Sequence, residues 1–345
     1  MTAEDQHTTT SADENRAATG EGLMTAVVQD GYGSADVLGV TRIARPEIGA
    51  DEVLLRVHAA GLDRGTWHLM EGRPYLLRLA FGIRRPKNPV LGRDVAGTVV
   101  EVGSAVTKFA VGDEVFGIAP GSFAEYAAAP ERKLARKPVN LSFEQAAVIA
   151  ISALTAFQAL THVGHLERGQ KVLITGASGG VGSYAVQLAK AFGAEVTGVC
   201  SGAKADLVRS LGADHVLDYT KDDFADGVHH YDLILDIAGN PGPTRLRRAL
   251  TPTGTAVIVG GEEGGNLTGG MDRQLRALIL SLFVRQRLTV CISKERGSDL
   301  EPIADLLEAG KVTPSIDRTY PLDRAPEAMR HLDSGEVRGK IAITI

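Results

Sequence analysis

Residues 24–345 predict an α/β protein in which a doubly wound parallel sheet is inserted into a β-rich module. Three observations carry that expectation. Between residues 24 and 121 the segments "MTAVVQDGYG", "DEVLLRVHAAGL", "DVAGTVVEVG" and "GDEVFG" alternate β-branched and smaller residues between glycine turns, as short antiparallel strands do. From residue 171 onward, strand patterns alternate with amphipathic helical ones, which implies parallel strands covered by helices on both faces. The last residues, "RGKIAITI", return to strand. The economical division is therefore a tail at 1–23, one module built from 24–145 and 311–345, and a nucleotide-type module at 146–310.

Taken in order, the tail "MTAEDQHTTTSADENRAATGEGL" has no apolar run and no basic start, so it reads neither as a secretory nor as a transit segment but as a disordered tail. Residues 141–160, "LSFEQAAVIAISALTAFQAL", are alanine-rich with apolar spacing near 3.6 and predict one helix. A strand at 171–175, a helix at about 180–192, a strand at 195–200 and a helix at about 203–211 follow. Short strands come next at 214–217, 232–236 and 255–259. The segment "SDLEPIADLLEAGKV", 298–312, predicts a helix capped by Ser298 or Asp299 and stopped at Gly310. Residues 275–284, "LRALILSLFV", are too short to span a bilayer, so a soluble chain is expected with no membrane partner.

The 345 residues suit about two domains. A formal charge of −5 argues against a nucleic-acid or anionic-membrane binder, either of which needs a basic face. Cys200 and Cys291 are the only cysteines, too few for a disulfide framework, so the reducing cytoplasm is the expected compartment.

The segment "VLITGASGGVGSYAVQLAKAFGAEVTGVC" holds the most specific pattern. Strand 171–175 delivers the chain to Gly176, Ala177, Ser178, Gly179, Gly180, Val181 and Gly182. Glycine there permits a tight turn and a close approach of backbone to a pyrophosphate, and the following helix aims its first N–H groups at the anion. Gly182 lets the helix pack closely on the strand, with Val181, Ala185, Leu188 and Phe192 on the buried face. The first glycine of the usual G-x-G-x-x-G is replaced by Ala177, with Gly176 just before it. A strand before and a second strand after the helix supply the context that makes a dinucleotide the expected ligand.

The end of the second strand decides which dinucleotide. An NAD site places Asp or Glu there to bind the ribose hydroxyls. Here Cys200 and Ser201 stand instead, so nothing repels a 2′-phosphate. Ser201 offers a hydroxyl and Lys204 a charge, with Tyr219 covering the adenosine side; Lys204 reads equally as a solvated helix lysine until the missing acid is weighed. The expected cofactor is NADP(H).

These segments resemble the medium-chain dehydrogenase/reductase superfamily, in its zinc-free quinone oxidoreductase (zeta-crystallin-like) branch. The likeness runs from Met24 to Ile345 through "AAGLDRGTWHLMEG", "PVLGRDVAGTVVEVGSAVTKFAVGDEVFG", "AVIAISALTAFQAL" and "GKIAITI". It implies a GroES-like domain carrying an inserted Rossmann domain, an active site in the cleft between them, and a homodimer as partner. Zinc-dependent relatives use a Cys in the substrate loop and a His in a Gly-His-Glu motif. Here the loop offers Asp63 and the motif reads Gly92-Arg93-Asp94. A guanidinium cannot ligate a cation, and two cysteines cannot build the structural zinc lobe, so no metal is expected.

Without a cation to hold an alkoxide, reduction of a quinone or an α,β-unsaturated carbonyl asks less of the protein than interconversion of simple alcohols and ketones. The expectation is an NADPH-dependent hydride transfer to such an acceptor. Two alternatives stay open: a metal-independent alcohol or carbonyl dehydrogenase, and an NADPH-binding protein without turnover. Asp63 falls where this branch commonly keeps Asn, and is expected to hold the nicotinamide ribose or orient substrate. Tyr75 matches a tyrosine proton donor of related enoyl reductases, and reads otherwise as a core or rim aromatic. Trp67 shapes the pocket or packs beneath it, and His68 reads as exposed or structural rather than catalytic. Arg93 either bridges the domains through a carboxylate or turns to the surface. On the cofactor side, Thr155 is expected near the nicotinamide or pyrophosphate. Asp236 in "DIAGN" and Gly260 in "VGG" lie at the carboxyl edge of the sheet, where ligands bind. Arg338 and Lys340 either approach the cofactor across the cleft or form a charged turn before the last strand. The basic loop "RRPKNP", 84–89, reads first as solvated surface and otherwise as a gate for an anionic substrate.

Overall fold

The structure, a computed structural model, describes residues 22–260 and 265–345. Most of the expected tail, residues 1–21, lies outside the described residues, but Leu23 does not belong to a tail: it opens the strand Leu23–Gln29. That strand pairs antiparallel with Leu38–Ala44.

Two larger sheets define the architecture, which is that of a Rossmann domain inserted into a GroES-like β-rich domain. The parallel sheet orders its six strands His215–Asp218, Glu195–Cys200, Lys171–Thr175, Tyr231–Asp236, Leu250–Ile258 and Arg287–Val290. Counted along the chain this order is 3-2-1-4-5-6, so the direction of winding reverses between Lys171–Thr175 and Tyr231–Asp236, and ligands bind at the carboxyl edge of such a switch. Val172, Leu173 and Ile174 are fully buried, because helices cover both faces of the strand. The other sheet orders Ile316–Pro321, Lys340–Thr344, Glu52–Leu62, Asp94–Val102, Glu114–Ile118 and Leu134–Arg136, with Tyr126–Pro130 also pairing to Glu52–Leu62. Strands from both ends of the chain thus share one sheet. The terminal strand pairs with Glu52–Leu62 through Ile341 opposite Leu62 and Ile343 opposite Ala60.

The single helix expected over 141–160 is broken. Phe143–Ala147 is capped by Ser142 with a reciprocal Gln145 bond; a new helix runs Ala150–Gln158, then widens into a π turn at Ala159–Val163. Two buried side chains from elsewhere hold the break open. The Tyr184 hydroxyl donates to the freed Val148 carbonyl (3.1 Å), and the Asp94 carboxylate accepts from the freed Ile151 amide (2.7 Å). Backbone groups lost from the helix ladder are therefore satisfied, as burial demands. The helix lies in a core shared by both modules, where Ala59, Phe116 and Ile118 of the β-rich sheet meet Leu154, Ile174 and Leu188.

The helix expected at 298–312 runs Gly297–Glu308 and begins after Arg296, with no side-chain cap. Neither Ser298 nor Asp299 caps it, because Asp299 instead accepts from the Gln158 amide (2.7 Å). Gly310 does follow the helix with φ +67°. No helix among the described residues is long and apolar enough to cross a membrane. The apolar run at 275–284 lies in and after the helix Met271–Ser281, with Leu282 and Phe283 on the surface.

Candidate active site at the cleft between the two modules

The glycine turn follows the first strand of the parallel sheet. Gly176 has φ +66°, and the helix Gly180–Ala191 starts after Gly179 with no side-chain cap. Its first amides are thus left for an anion rather than taken by the protein's own side chain. Gly182 is where closeness is absolute: a Cβ there would lie 2.1 Å from the Gly176 carbonyl oxygen and 2.8 Å from the Ala177 Cα. On the buried face expected for this helix, Ala185 and Leu188 are fully enclosed and Val181 and Phe192 half-buried. The Ser178 carbonyl accepts from the Gly339 amide (2.9 Å), so the turn is fastened to the chain's last strand.

At the adenosine end, Ser201 follows the second strand and its carbonyl accepts from the Lys204 amide (2.9 Å). The Lys204 ammonium donates to the carbonyls of Gly335 (2.7 Å) and Val337 (2.9 Å). An ammonium has three donors, of which these two carbonyls take two. Burial lowers the Lys204 pKa and Arg338 adds to the effect, while Asp317 opposes it. Tyr219 is 64% exposed, its amide bonded to the Cys200 carbonyl (3.1 Å). The arrangement also holds Asp218, on the neighbouring strand: its carboxylate accepts from the Thr220 amide (3.1 Å) and hydroxyl (2.8 Å).

Asp236 and Gly260 lie at the expected edge, but the Asp236 carboxylate is committed. It forms a buried ion pair with Arg273 and accepts from the Thr175 hydroxyl (3.3 Å). Arg273 also donates to the carbonyls of Gly260 (2.7 Å) and Pro241 (3.1 Å), so it ties the strand ends together. Burial dominates and pushes the Asp236 carboxyl up to about 6, against the lowering by Arg273 and Thr175. A Cβ on Gly260 would lie 2.1 Å from the Ile237 carbonyl oxygen, so these ends touch. Gly261, which shares its sequence motif, lies outside the described residues. The Thr155 hydroxyl donates to the Ile151 carbonyl within its own helix (2.7 Å).

From the β-rich module, Asp63 caps the helix Arg64–Glu71 by accepting from the Thr66 amide (2.8 Å). Its other oxygen is buried without a hydrogen-bond partner. An unpaired buried carboxylate oxygen is costly and calls for a donor from a ligand or water. Asp94 is fully buried, and its Oδ2 pairs with the Lys340 ammonium (3.2 Å), which also donates to the Ser152 hydroxyl (3.0 Å). Lys340 therefore does not present its charge to the cleft: it supports the glycine turn from beneath. Burial raises the Asp94 carboxyl to about 6; Lys340 opposes this and Asp63 adds to it.

Of the two alternatives for Arg93, the structure selects the bridge: it pairs with Glu295 of the other module, where Lys133 also reaches (2.6 Å). Among the described residues no group of three His, Cys, Asp or Glu side chains is placed to hold a metal ion. A cavity of about 600 Å³ opens between the modules. Trp67, His68 and Leu77 form one wall, and Val259, Gly260 and Asn266 the other. Tyr75 stands at its rim, 41% exposed, with the Arg78 guanidinium 4.8 Å from its ring centre and its amide bonded to the Asn266 carbonyl (2.8 Å). Pro74 lines the cavity; the Tyr75 ring does not. The loop 84–89 is largely exposed, as expected.

Sequence reasoning missed Asp94, Ser152, Arg273 and Asn266. Asp94 had one signal, an acid opening the apolar run "DVAGTVV"; Lys340 heads another, "KIAITI", and two such charges invite pairing. The residues present fit a dinucleotide: an uncapped helix behind a turn with no room for a Cβ, an ammonium with a spare donor, and a buried carboxylate oxygen lacking its partner.

Comparison with known proteins agrees. Residues 49–139 match the alcohol dehydrogenase GroES-like domain and residues 211–343 the zinc-binding dehydrogenase family. The chain is 33% identical over 360 residues to the mitochondrial NAD(P)H oxidoreductase RTN4IP1 of Mus musculus, covering 94% of this chain and 89% of that one. It is 35% identical over 328 residues to the 2-methylene-furan-3-one reductase of Solanum lycopersicum, covering 90% and 76%. The solved quinone oxidoreductase of Coxiella burnetii superposes with a TM-score of 0.83 at 28% identity, covering 94% and 99%. The chain is an oxidoreductase that uses a nicotinamide cofactor, and it belongs to the medium-chain dehydrogenase/reductase superfamily, in its zinc-free quinone oxidoreductase branch.

Proposed function

We propose that the protein uses NADP(H) to reduce a quinone or an α,β-unsaturated carbonyl without a metal ion, in the cytoplasm. The observation that carries the reading is Arg93. Where a catalytic zinc would need an imidazole, this chain has a guanidinium spent on Glu295, and Asp94 is paired with Lys340. A guanidinium offers a cation no lone pair, and among the described residues no three His, Cys, Asp or Glu side chains are grouped to hold one.

A reduced nicotinamide, when bound, supplies the hydride. The protein's part is positional. Gly176 to Gly182 and the helix behind them receive the pyrophosphate, while Ser201 and the third donor of Lys204 favour a 2′-phosphate. The open oxygen of Asp63 accepts from a ribose hydroxyl. Trp67, Leu77 and Val259 line the space for a flat acceptor, and Tyr75 at the rim delivers the proton that follows the hydride. Names of relatives support this choice of acceptor: one is a quinone oxidoreductase and another a reductase of a methylene-furanone.

The test is a spectrophotometric panel that follows NADPH loss with quinones, enones, aldehydes and ketones. Oxidation with quinones or enones, yielding the saturated ketone from the latter, is expected. Reduction confined to aldehydes and ketones would favour the alcohol/carbonyl dehydrogenase alternative. Binding of NADPH with no turnover on any member would favour a silent binding protein.

A further inference from the structure

We propose that Asp94 is the positioning residue of the dinucleotide site: a single carboxylate of the β-rich module that sets, through Lys340 and the Ile151 amide, the placement of the glycine turn without touching the ligand. The inference rests on reading that turn as the site of a nicotinamide dinucleotide.

Three contacts carry it. Asp94 Oδ1 accepts from the Ile151 amide (2.7 Å), which fixes the start of the helix Ala150–Gln158. Asp94 Oδ2 holds the Lys340 ammonium (3.2 Å), whose next contact is the Ser152 hydroxyl in that same first turn (3.0 Å). The Lys340 stem then lies against the glycine turn: a Cβ on Gly180 would meet the Lys340 Cδ at 3.1 Å and the Ser152 Oγ at 3.3 Å. Next to it, the Gly339 amide donates to the Ser178 carbonyl (2.9 Å). The Lys340 and Asp94 side chains are 1% and 0% exposed, so no solvent takes the place of a lost partner. When the Asp94 carboxylate loses its charge, the ammonium loses its ion-pair partner and the turn its support.

The charged and titratable groups facing Asp94 are Lys340, Asp63 and the Tyr184 phenol. Arg93 beside it is turned to Glu295. Burial raises the Asp94 carboxyl to about 6, with Lys340 opposing the rise and the nearby Asp63 adding to it. Protonation removes the acceptor of Lys340, so the grip is complete above that pH and lost below it. Dinucleotide affinity is therefore expected to fall on acidification through this range.

The test titrates NADPH by its fluorescence into wild type, Asp94→Asn, Lys340→Met and the double variant, from about pH 5.5 to about pH 8.5. Asp94→Asn should weaken binding about tenfold at about pH 7.5, and its affinity should change less with pH than the wild type's. Because the ligand's own phosphate titrates alike in every sample, the difference between variants isolates Asp94. The double variant should bind no worse than the weaker single one, since both act through one contact. Should Asp94→Asn fail to fold, Ser152→Ala leaves the ion pair and the Ile151 bond intact and removes the Lys340 bond to the helix; about threefold weaker binding is expected, and unaltered binding would overturn the inference. Wild-type affinity and pH profile in Asp94→Asn, losses that multiply in the double variant, or a lowered melting temperature with unaltered binding would each overturn the inference. No binding by wild type would instead overturn the reading of the site on which it rests.

Discussion

Replacing Gly182 by alanine should damage the protein more than the same change three residues earlier, and the structure gives the size. The new Cβ would sit 2.1 Å from the Gly176 carbonyl oxygen and 2.8 Å from both the Gly176 carbonyl carbon and the Ala177 Cα. Ordinary contact needs about 3.5 Å, so the helix must retreat from the turn by more than about 1 Å. The obstacle is backbone and has no rotamer to yield. Overpacking of this kind costs about 1–3 kcal/mol, toward the upper end here, while alanine regains about 1 kcal/mol of helix propensity. A net loss of about 2 kcal/mol lowers the melting temperature by about 4–8 °C for a module of this size. The first amides of the helix move with it, so NADPH should bind at least about tenfold more weakly. Gly179→Ala is the control: its nearest neighbour is the Gly176 oxygen at 3.4 Å and its φ is −88°, which alanine accepts. Its melting temperature should stay within about 2 °C of wild type. Circular dichroism melts and a fluorescence titration read both variants. Equal shifts in the two, or a Gly182→Ala protein that melts with wild type, would refute the packing argument.

Three other outcomes are expected. Lys204→Ala should weaken NADPH by about tenfold and NADH far less; equal losses measured by titration would remove the 2′-phosphate from that ammonium. Tyr75→Phe should slow enone reduction at saturating NADPH, and an unchanged rate would assign the proton to water reaching the open rim. The third concerns Asp236. Its carboxyl titrates at about 6 when folded, against about 3.9 when unfolded. The native state thus holds the extra proton between those values, and this group's contribution to stability falls as the pH rises from about 4 to about 6. The loss is on the order of 2–3 kcal/mol. Urea unfolding of wild type and of Asp236→Asn/Arg273→Met should diverge across that range; a constant difference would mean that Asp236 does not carry the shift.

What the sequence made legible was local. The strand Lys171–Thr175 is a continuous apolar run because helices cover both its faces, and Gly182 stands out because only glycine tolerates a carbonyl at that distance. The break inside 141–160 was not legible. Nothing in an alanine-rich run marks Val148 or Ile149, since the side chains that open it, Tyr184 and Asp94, come from other elements. Pairing hid the rest. Asp94 and Lys340 are 246 residues apart, and the Asp236 carboxylate is committed at the sheet edge by Arg273, which lies in the helix Met271–Ser281. Arg93 could be read as not a metal ligand from its chemistry alone; that it bridges to Glu295 required the fold.

The most direct measurement joins metal content to turnover in one purified sample: elemental analysis, then NADPH oxidation by quinones and enones before and after treatment with a chelator. The account predicts no stoichiometric zinc and the same rate on both sides of the treatment. One zinc ion per chain, whose removal stops turnover and whose return restores it, would contradict the account.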